Sequence, residues 1–251
     1  MGGHSHWAGI KHKKAITDAK RGKVWTRIVR EITMAAKMGG GKPADNPRLR
    51  KAVDDARAAN MPAENVKRAI QKGTGELPGA NYEELTFEGY APGGVAVFAE
   101  GTTDNRNRST NEIRKIFEDH GGNMGQAGCV AFQFEKKGTL SVPKSKTTEE
   151  ALMELALELG ADDIKSEDAD VFEVFTPPQA LQAVADGLKA KGLPVESPEV
   201  AMVPKSTVPV ASEETARKIL ELMEGLEAHD DVSNVYANFD IPDTILAAIE
   251  K

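Results

Sequence analysis

Cysteine is nearly missing from this 251-residue chain: Cys129 stands alone, so no disulfide can form within it. That excludes a disulfide-stapled fold and points to a reducing compartment, the cytoplasm. Aromatic residues make up only 5% of the chain. No apolar run approaches the roughly 18–20 residues needed to span a bilayer, so a membrane partner is not expected. The first residues lack the apolar stretch of a secretory signal and the length of a transit peptide. Nucleophile elbows, dinucleotide glycine patterns and paired metal-binding carboxylates are also missing.

What is present is charge, unevenly distributed. The whole chain carries −7, but Met1 to Pro78 hold 17 Lys/Arg against 7 Asp/Glu. The remainder is therefore strongly acidic. A basic module joined to an acidic body suggests that one part meets a polyanion while the other keeps the protein soluble. The opening stretch "GGHSHWAGIKHKKAITDAKRGK" concentrates this, with His4, Ser5, His6, Trp7, Lys11, His12, Lys13, Lys14, Lys20, Arg21 and Lys23 and a single Asp18.

The basic module reads as three helices. From about Ala15, Val24, Trp25, Ile28, Val29, Ile32, Ala35 and Ala36 fall on one side of a helical wheel. Lys20, Lys23, Arg27 and Arg30, spaced 3, 4 and 3, fall on the other. The run stops at "MGGGKP". A second helix begins at Asn46, a cap followed by Pro47, and a third runs from Pro62 to Gly73. "GGGKP" is not a phosphate loop, because Ala36 and Pro43 occupy the places of its first Gly and its Ser/Thr. His4, His6 and His12 lack a nearby carboxylate or thiol at suitable spacing, and the surrounding lysines repel cations, so no metal and no cofactor is expected.

The acidic body alternates strands and helices. "GGVAVFAEGTT" predicts a strand, "STNEIRKIFEDHGG" a helix opened by a Ser109/Glu112 capping box, and "CVAFQFE" a returning strand with Cys129 buried in it. Residues 138–204 then follow the order β-α-β-β-α-β of a ferredoxin-like sandwich. "STVPVASEETARKILELMEGLEAHDDVSNVYANFDIP" supplies β-α-β again. The expected fold is therefore α+β: an N-terminal three-helix domain (1–78), then two ferredoxin-like α/β domains. One of them is discontinuous (79–137 and 205–251) and the other (138–204) is inserted in it. Between strand and helix lies "TTDNRNRST", expected as a loop, where Arg106 and Arg108 precede a helix N-terminus and could make a second anion contact.

The segments "GHSHWAGIKHKKAITDAKRGK", "AAKMGGGKPADNPRLRKAV", "NMPAENVKRAI", "GYAPGGVAV" and "TDNRNRSTNEIRKIF" resemble, in order and over nearly the whole chain, the YebC/PmpR family, which includes mitochondrial translational activators of cytochrome oxidase. Where the family pattern has Lys and Asn, this chain has His6 and Gly9, losing one permanent charge. The resemblance implies a three-domain cytosolic protein that is not an enzyme and takes no small-molecule substrate. It implies a regulator of gene expression that binds DNA, or a factor that binds rRNA on the ribosome and supports elongation through sequences such as proline runs. On either reading the nucleic-acid contacts are expected from the opening stretch through Lys23, from Arg27 and Arg30, and from Arg106 and Arg108.

Overall fold

The computed structural model describes residues 18–249, without the side chains of 18–21 and of Asp243. The architecture is α+β, with a helical N-terminal part followed by α/β domains. The chain divides into two compact units. One comprises Lys14–Cys129 and Glu214–Val235; the other includes Val130–Glu213 and Tyr236–Lys251.

In the first unit, α1 (Asp18–Gly39), α2 (Pro47–Ala58) and α3 (Ala63–Gly73) form a small bundle. Ile32, Ala35, Ala36, Leu49, Ala52, Val53, Ala56, Met61 and Ala69 are its core. Trp25 packs against this core and its indole N–H donates to Ala59 O at 3.0 Å, so its polar atom is satisfied as its rings are covered. Val24, placed on the apolar side by the periodicity, is instead exposed. The corner between α1 and α2 is held by Asn46, which is buried. Its Oδ1 accepts the Leu49 N–H as the N-cap of α2, and its Nδ2 donates to Ala35 O (2.8 Å) and Gly40 O (2.9 Å). Such a cap contributes about 1 kcal/mol by itself. Gly39 makes room for it: a Cβ there would lie 2.6 Å from Asn46 Nδ2.

The same unit contains β1 (Glu83–Tyr90), β2 (Ala96–Thr103), α4 (Arg106–Asp119) and the two-residue β3 (Asn123–Met124). β1 and β2 pair antiparallel along their whole length, Glu83 opposite Thr103 and Tyr90 opposite Ala96. β3 pairs antiparallel with β1 at Gly89 and Tyr90 only.

In the second unit, β4 (Phe134–Pro143), α5 (Glu149–Glu158), β5 (Asp163–Lys165), β6 (Val171–Thr176), α6 (Leu181–Ala190) and β7 (Glu196–Pro204) follow the expected β-α-β-β-α-β order. The sheet order β5-β6-β4-β7, antiparallel throughout, is that of a ferredoxin-like sandwich. Leu140, Val142, Phe172 and Val174 of the sheet pack against Leu152, Ala156, Val184 and Leu188 of the helices.

The chain continues through β8 (Val208–Pro209), α7 (Glu213–Ala228), β9 (Val232–Ala237), β10 (Phe239–Asp240) and α8 (Asp243–Ile249). β9 completes the first sheet, in the order β3-β1-β2-β9. α7 packs near α4, where a Cβ on Gly225 would meet Ile116.

Three local expectations are corrected. "CVAFQFE" is not a returning strand: residues 127–130 are a turn, 131–133 a 3-10 turn, and the strand from Phe134 belongs to the second sheet. The first sheet is closed instead by β3 and begins with the hairpin strand β1, whose acid-rich "EELTFEGY" has too little hydrophobic alternation at its start to announce a strand. The short strand before α7 does not enter that sheet either, since β8 pairs in parallel with β10.

Candidate nucleic-acid interface

Three residues of the basic stripe of α1, Lys23, Arg27 and Arg30, are engaged within the protein. α7 ends at Ala228, and the last carbonyls of a helix lack intrahelical partners and carry partial negative charge. Lys23 Nζ donates to Ala228 O at 2.9 Å. Arg27 Nη2 donates to Glu227 O and, at 3.3 Å, to His229 O. Arg30 Nη1 donates to Asp230 O and to Asp231 Oδ1, the latter at 2.6 Å. The spacing that aligns these three side chains on one helical face thus caps another helix. Burial pushes the Arg27 guanidinium down, and the charges of Glu227 and Asp230 oppose that shift.

Asp231 is the centre of this arrangement, with only 3% of its side chain exposed. Oδ2 accepts from Thr103 (3.0 Å), from Arg108 Nη2 (2.9 Å) and from the Ser109 hydroxyl. Its backbone carbonyl accepts the Thr102 N–H at 2.8 Å, which fixes it at the end of β2. Burial pushes this carboxyl up, but Ser109, Arg108, Arg30 and Thr103 together outweigh it and hold the carboxyl down at about 2. The Arg108 guanidinium is raised in turn, chiefly by its bond to Asp231. His229 completes the rim: Nδ1 accepts the Asp231 N–H at 3.1 Å, which leaves Nε2 as the protonated nitrogen facing Glu112 Oε2 at 2.9 Å. Lys23, Arg30, Arg108, Glu112, His229 and Asp231 line a polar cleft of about 440 Å³.

The "TTDNRNRST" stretch is not a loop throughout. Asn105, not Ser109, is the N-cap of α4, accepting the Arg108 N–H, so Arg106 and Arg108 lie in the first helical turn. The capping-box reading fails because Ser109 turns inward to Thr103 and Asp231. Arg108 joins the Asp231 cluster, whereas Arg106 faces away and pairs with Glu83 at 2.9 Å.

His4, Ser5, His6, Trp7, Lys11, His12, Lys13 and Lys14 lie outside the described residues, as do the side chains of Lys20 and Arg21. Lys23, Arg27, Arg30 and Arg108 are brought together, on intramolecular acceptors. Asp231, Thr103 and the pairing of His229 with Glu112 went unread in the sequence, and Ser109 and Glu112 read there only as a capping box. One signal was available: "AHDDV" places two aspartates at a helix C-terminus, where the dipole disfavours them unless cations arrive from elsewhere. Cys129 sits half-buried in the turn, its thiol pushed up by burial and by Glu88. Among the described residues no group of three or more His, Cys, Asp or Glu is placed to hold a metal ion, and no helix is long and apolar enough to cross a membrane.

Comparison with known proteins extends over the same elements. Residues 5–76 match the TACO1/YebC protein N-terminal domain, and residues 82–239 match the TACO1/YebC second and third domain. A protein of Elusimicrobium minutum named "Probable transcriptional regulatory protein" is 56% identical over 251 residues, the full length of both chains. One of the same name from Syntrophobacter fumaroxidans is 56% identical over 249 residues, 99% of this chain and all of that one. The crystal structure of a conserved hypothetical protein from Aquifex aeolicus superposes with a TM-score of 0.83 at 50% identity, covering 94% of this chain and 97% of that one. The chain belongs to the TACO1/YebC family.

Proposed function

We propose that this protein is a non-enzymatic, nucleic-acid-binding regulator of gene expression, a DNA-binding transcriptional regulator acting in the cytoplasm. The observation that carries the reading is the strongly basic first 78 residues of a chain that is acidic overall, in a family whose members are named as regulatory proteins. Because Lys23, Arg27, Arg30 and Arg108 already have acceptors, the contact is assigned first to His4 through Lys14 with Lys20 and Arg21. Exposed Lys42, Lys67 and Lys72 of the helical module extend it, and Arg106, exposed although paired with Glu83, is a further anion contact. Phosphate neutralisation by such cations supplies affinity without sequence information.

A second reading, binding to rRNA on the ribosome, is favoured by one feature. The opening residues intersperse Gly2, Gly3, Ser5 and Gly9 with His4, His6 and Trp7. That composition suits a backbone following an irregular RNA surface with rings stacking on unpaired bases.

The test is a salt series of binding to duplex DNA and to an rRNA fragment, with the full chain and with a variant lacking residues 1–14. With about five phosphate contacts, affinity falls on the order of 10²-fold between 50 and 200 mM salt, and the truncated variant has a shallower slope. A flat slope overturns the electrostatic reading. Co-sedimentation with ribosomes, released by nuclease, selects the rRNA reading over the DNA one.

A further inference from the structure

The three-helix bundle and the sheet that follows it belong to one compact unit, and polar contacts cross the seam between them. Lys23, Arg27 and Arg30 reach the end of α7 and Asp231. Lys37 Nζ donates to Asn81 Oδ1 (2.6 Å) and Tyr82 O (3.0 Å), and Arg48 pairs with Glu84. The bundle core, from Trp25 to Ile70, takes no residue from the body among those described, so its burial does not depend on docking. Residues 74–81, which join the two, are exposed, lie outside any helix or strand, and include Gly75, Pro78 and Gly79.

The seam leaves donors unused. The Nε–H groups of Arg27 and Arg30 are buried and meet no acceptor among the described residues. A buried donor without a partner opposes the arrangement that buries it. Both guanidiniums donate through Nη atoms alone, whereas a phosphate presents two oxygens to the Nε and Nη fork. Burial also works against the charge of Arg27.

We propose that α1 carries a phosphodiester-binding face that α7 masks: a nucleic-acid strand takes Lys23, Arg27 and Arg30 from the α7 terminus, and the bundle swings off the body on residues 74–81. This rests on the nucleic-acid reading above and adds to it a conformational step and the residues uncovered by that step. α1 holds six Lys/Arg against Asp18 and Glu31, and Glu31 is paired with Arg48. While docked, Glu227, Asp230 and Asp231 stand against this face and repel phosphate, so α7 and the strand exclude one another. Asp231 is not left bare when the bundle leaves, because Thr103, Arg108 and Ser109 all belong to the body.

The experiment places spin labels at Ala58→Cys on α2 and Glu118→Cys on α4, both exposed, in the full chain with Cys129→Ser. Their separation is read at low salt alone, with duplex DNA, with an rRNA fragment and with poly-glutamate. The free chain is expected to give one separation, and nucleic acid a second, longer one. Asp231→Asn, which loosens the docked state, is expected to tighten nucleic-acid binding. With about one chain in ten open, the apparent affinity lies about tenfold below the intrinsic one, and opening recovers it. Binding with an unchanged separation overturns the masked face and leaves the nucleic-acid reading standing, whereas no binding by the full chain overturns both. Opening by poly-glutamate as readily as by nucleic acid also overturns the proposal, as does equal or weaker binding by folded Asp231→Asn. The separation is read on the native seam, so it decides the matter even where Asp231→Asn does not fold.

Discussion

Arg30 and Asp231, 201 residues apart in the chain, meet at 2.6 Å with 14% and 3% of their side chains exposed. This contact joins α1 to the turn after α7. Removing one partner of a buried pair leaves the other charge uncompensated, which costs about 3–5 kcal/mol. Asp231→Asn keeps the size of the side chain but removes the charge that Arg30 and Arg108 share. Denaturant unfolding should show a loss of about 3 kcal/mol, and Arg30→Ala a loss of similar sign.

The pH dependence follows from the same carboxylate. Its folded value of about 2 lies below the roughly 3.9 of an unfolded aspartate. A depressed carboxylate contributes stability that is present above the unfolded value and is lost as pH falls through the folded one. The contribution at neutral pH is about 2–3 kcal/mol, disappearing between about pH 4 and pH 2. Acid titration of unfolding free energy should therefore be less steep for Asp231→Asn than for the native chain over that window. Parallel curves would reject this assignment.

Lys23 and Arg27 both cap α7 but should not matter equally. Lys23 is exposed and makes one carbonyl contact, whereas Arg27 is half-buried and bridges two. Lys23→Ala should cost only about 0.5 kcal/mol, and Arg27→Ala about 1–2 kcal/mol. High salt should erase the first effect and leave most of the second.

The insert prediction concerns residues 134–204. Phe134 and Pro204 are paired neighbours across β4 and β7, so the chain enters and leaves this sandwich at one place. We propose the division into 1–78, a discontinuous body, and the insert, with the insert beginning at Phe134 because β4 starts there and not at Gly138. The fragment should fold cooperatively by itself, near the lower size limit for an independent domain. A fragment without a thermal transition would show that it depends on the rest of the chain.

Elements with strong periodicity were legible in the sequence. The α1 stripe, the Asn46-Pro47 start of α2, and the β-α-β-β-α-β order of 138–204 all correspond to observed elements. What local pattern could not show is which acceptor a cation meets. Lys23, Arg27 and Arg30 have the spacing of a phosphate-binding stripe and of a helix cap alike, and only the distant 227–231 turn distinguishes them. Likewise, Ser109 and Glu112 match a capping box, but a buried Asp231 drew Ser109 inward and left the cap to Asn105. β1 went unread because it opens on two glutamates, Glu83 and Glu84, at an edge, where sheet strands carry charge.

The Asn46 corner has a consequence for how this sequence can change over time. Its amide uses its oxygen and its nitrogen on three backbone groups, one in α1, one just after it and one in α2. Aspartate would keep the cap and lose both donations. The two positions form one inherited unit: a side chain at 39 becomes tolerable only after 46 has shrunk, and a shrunken 46 first unties the corner. Either order passes through a destabilised intermediate, so drift alone should leave Gly39 and Asn46 together.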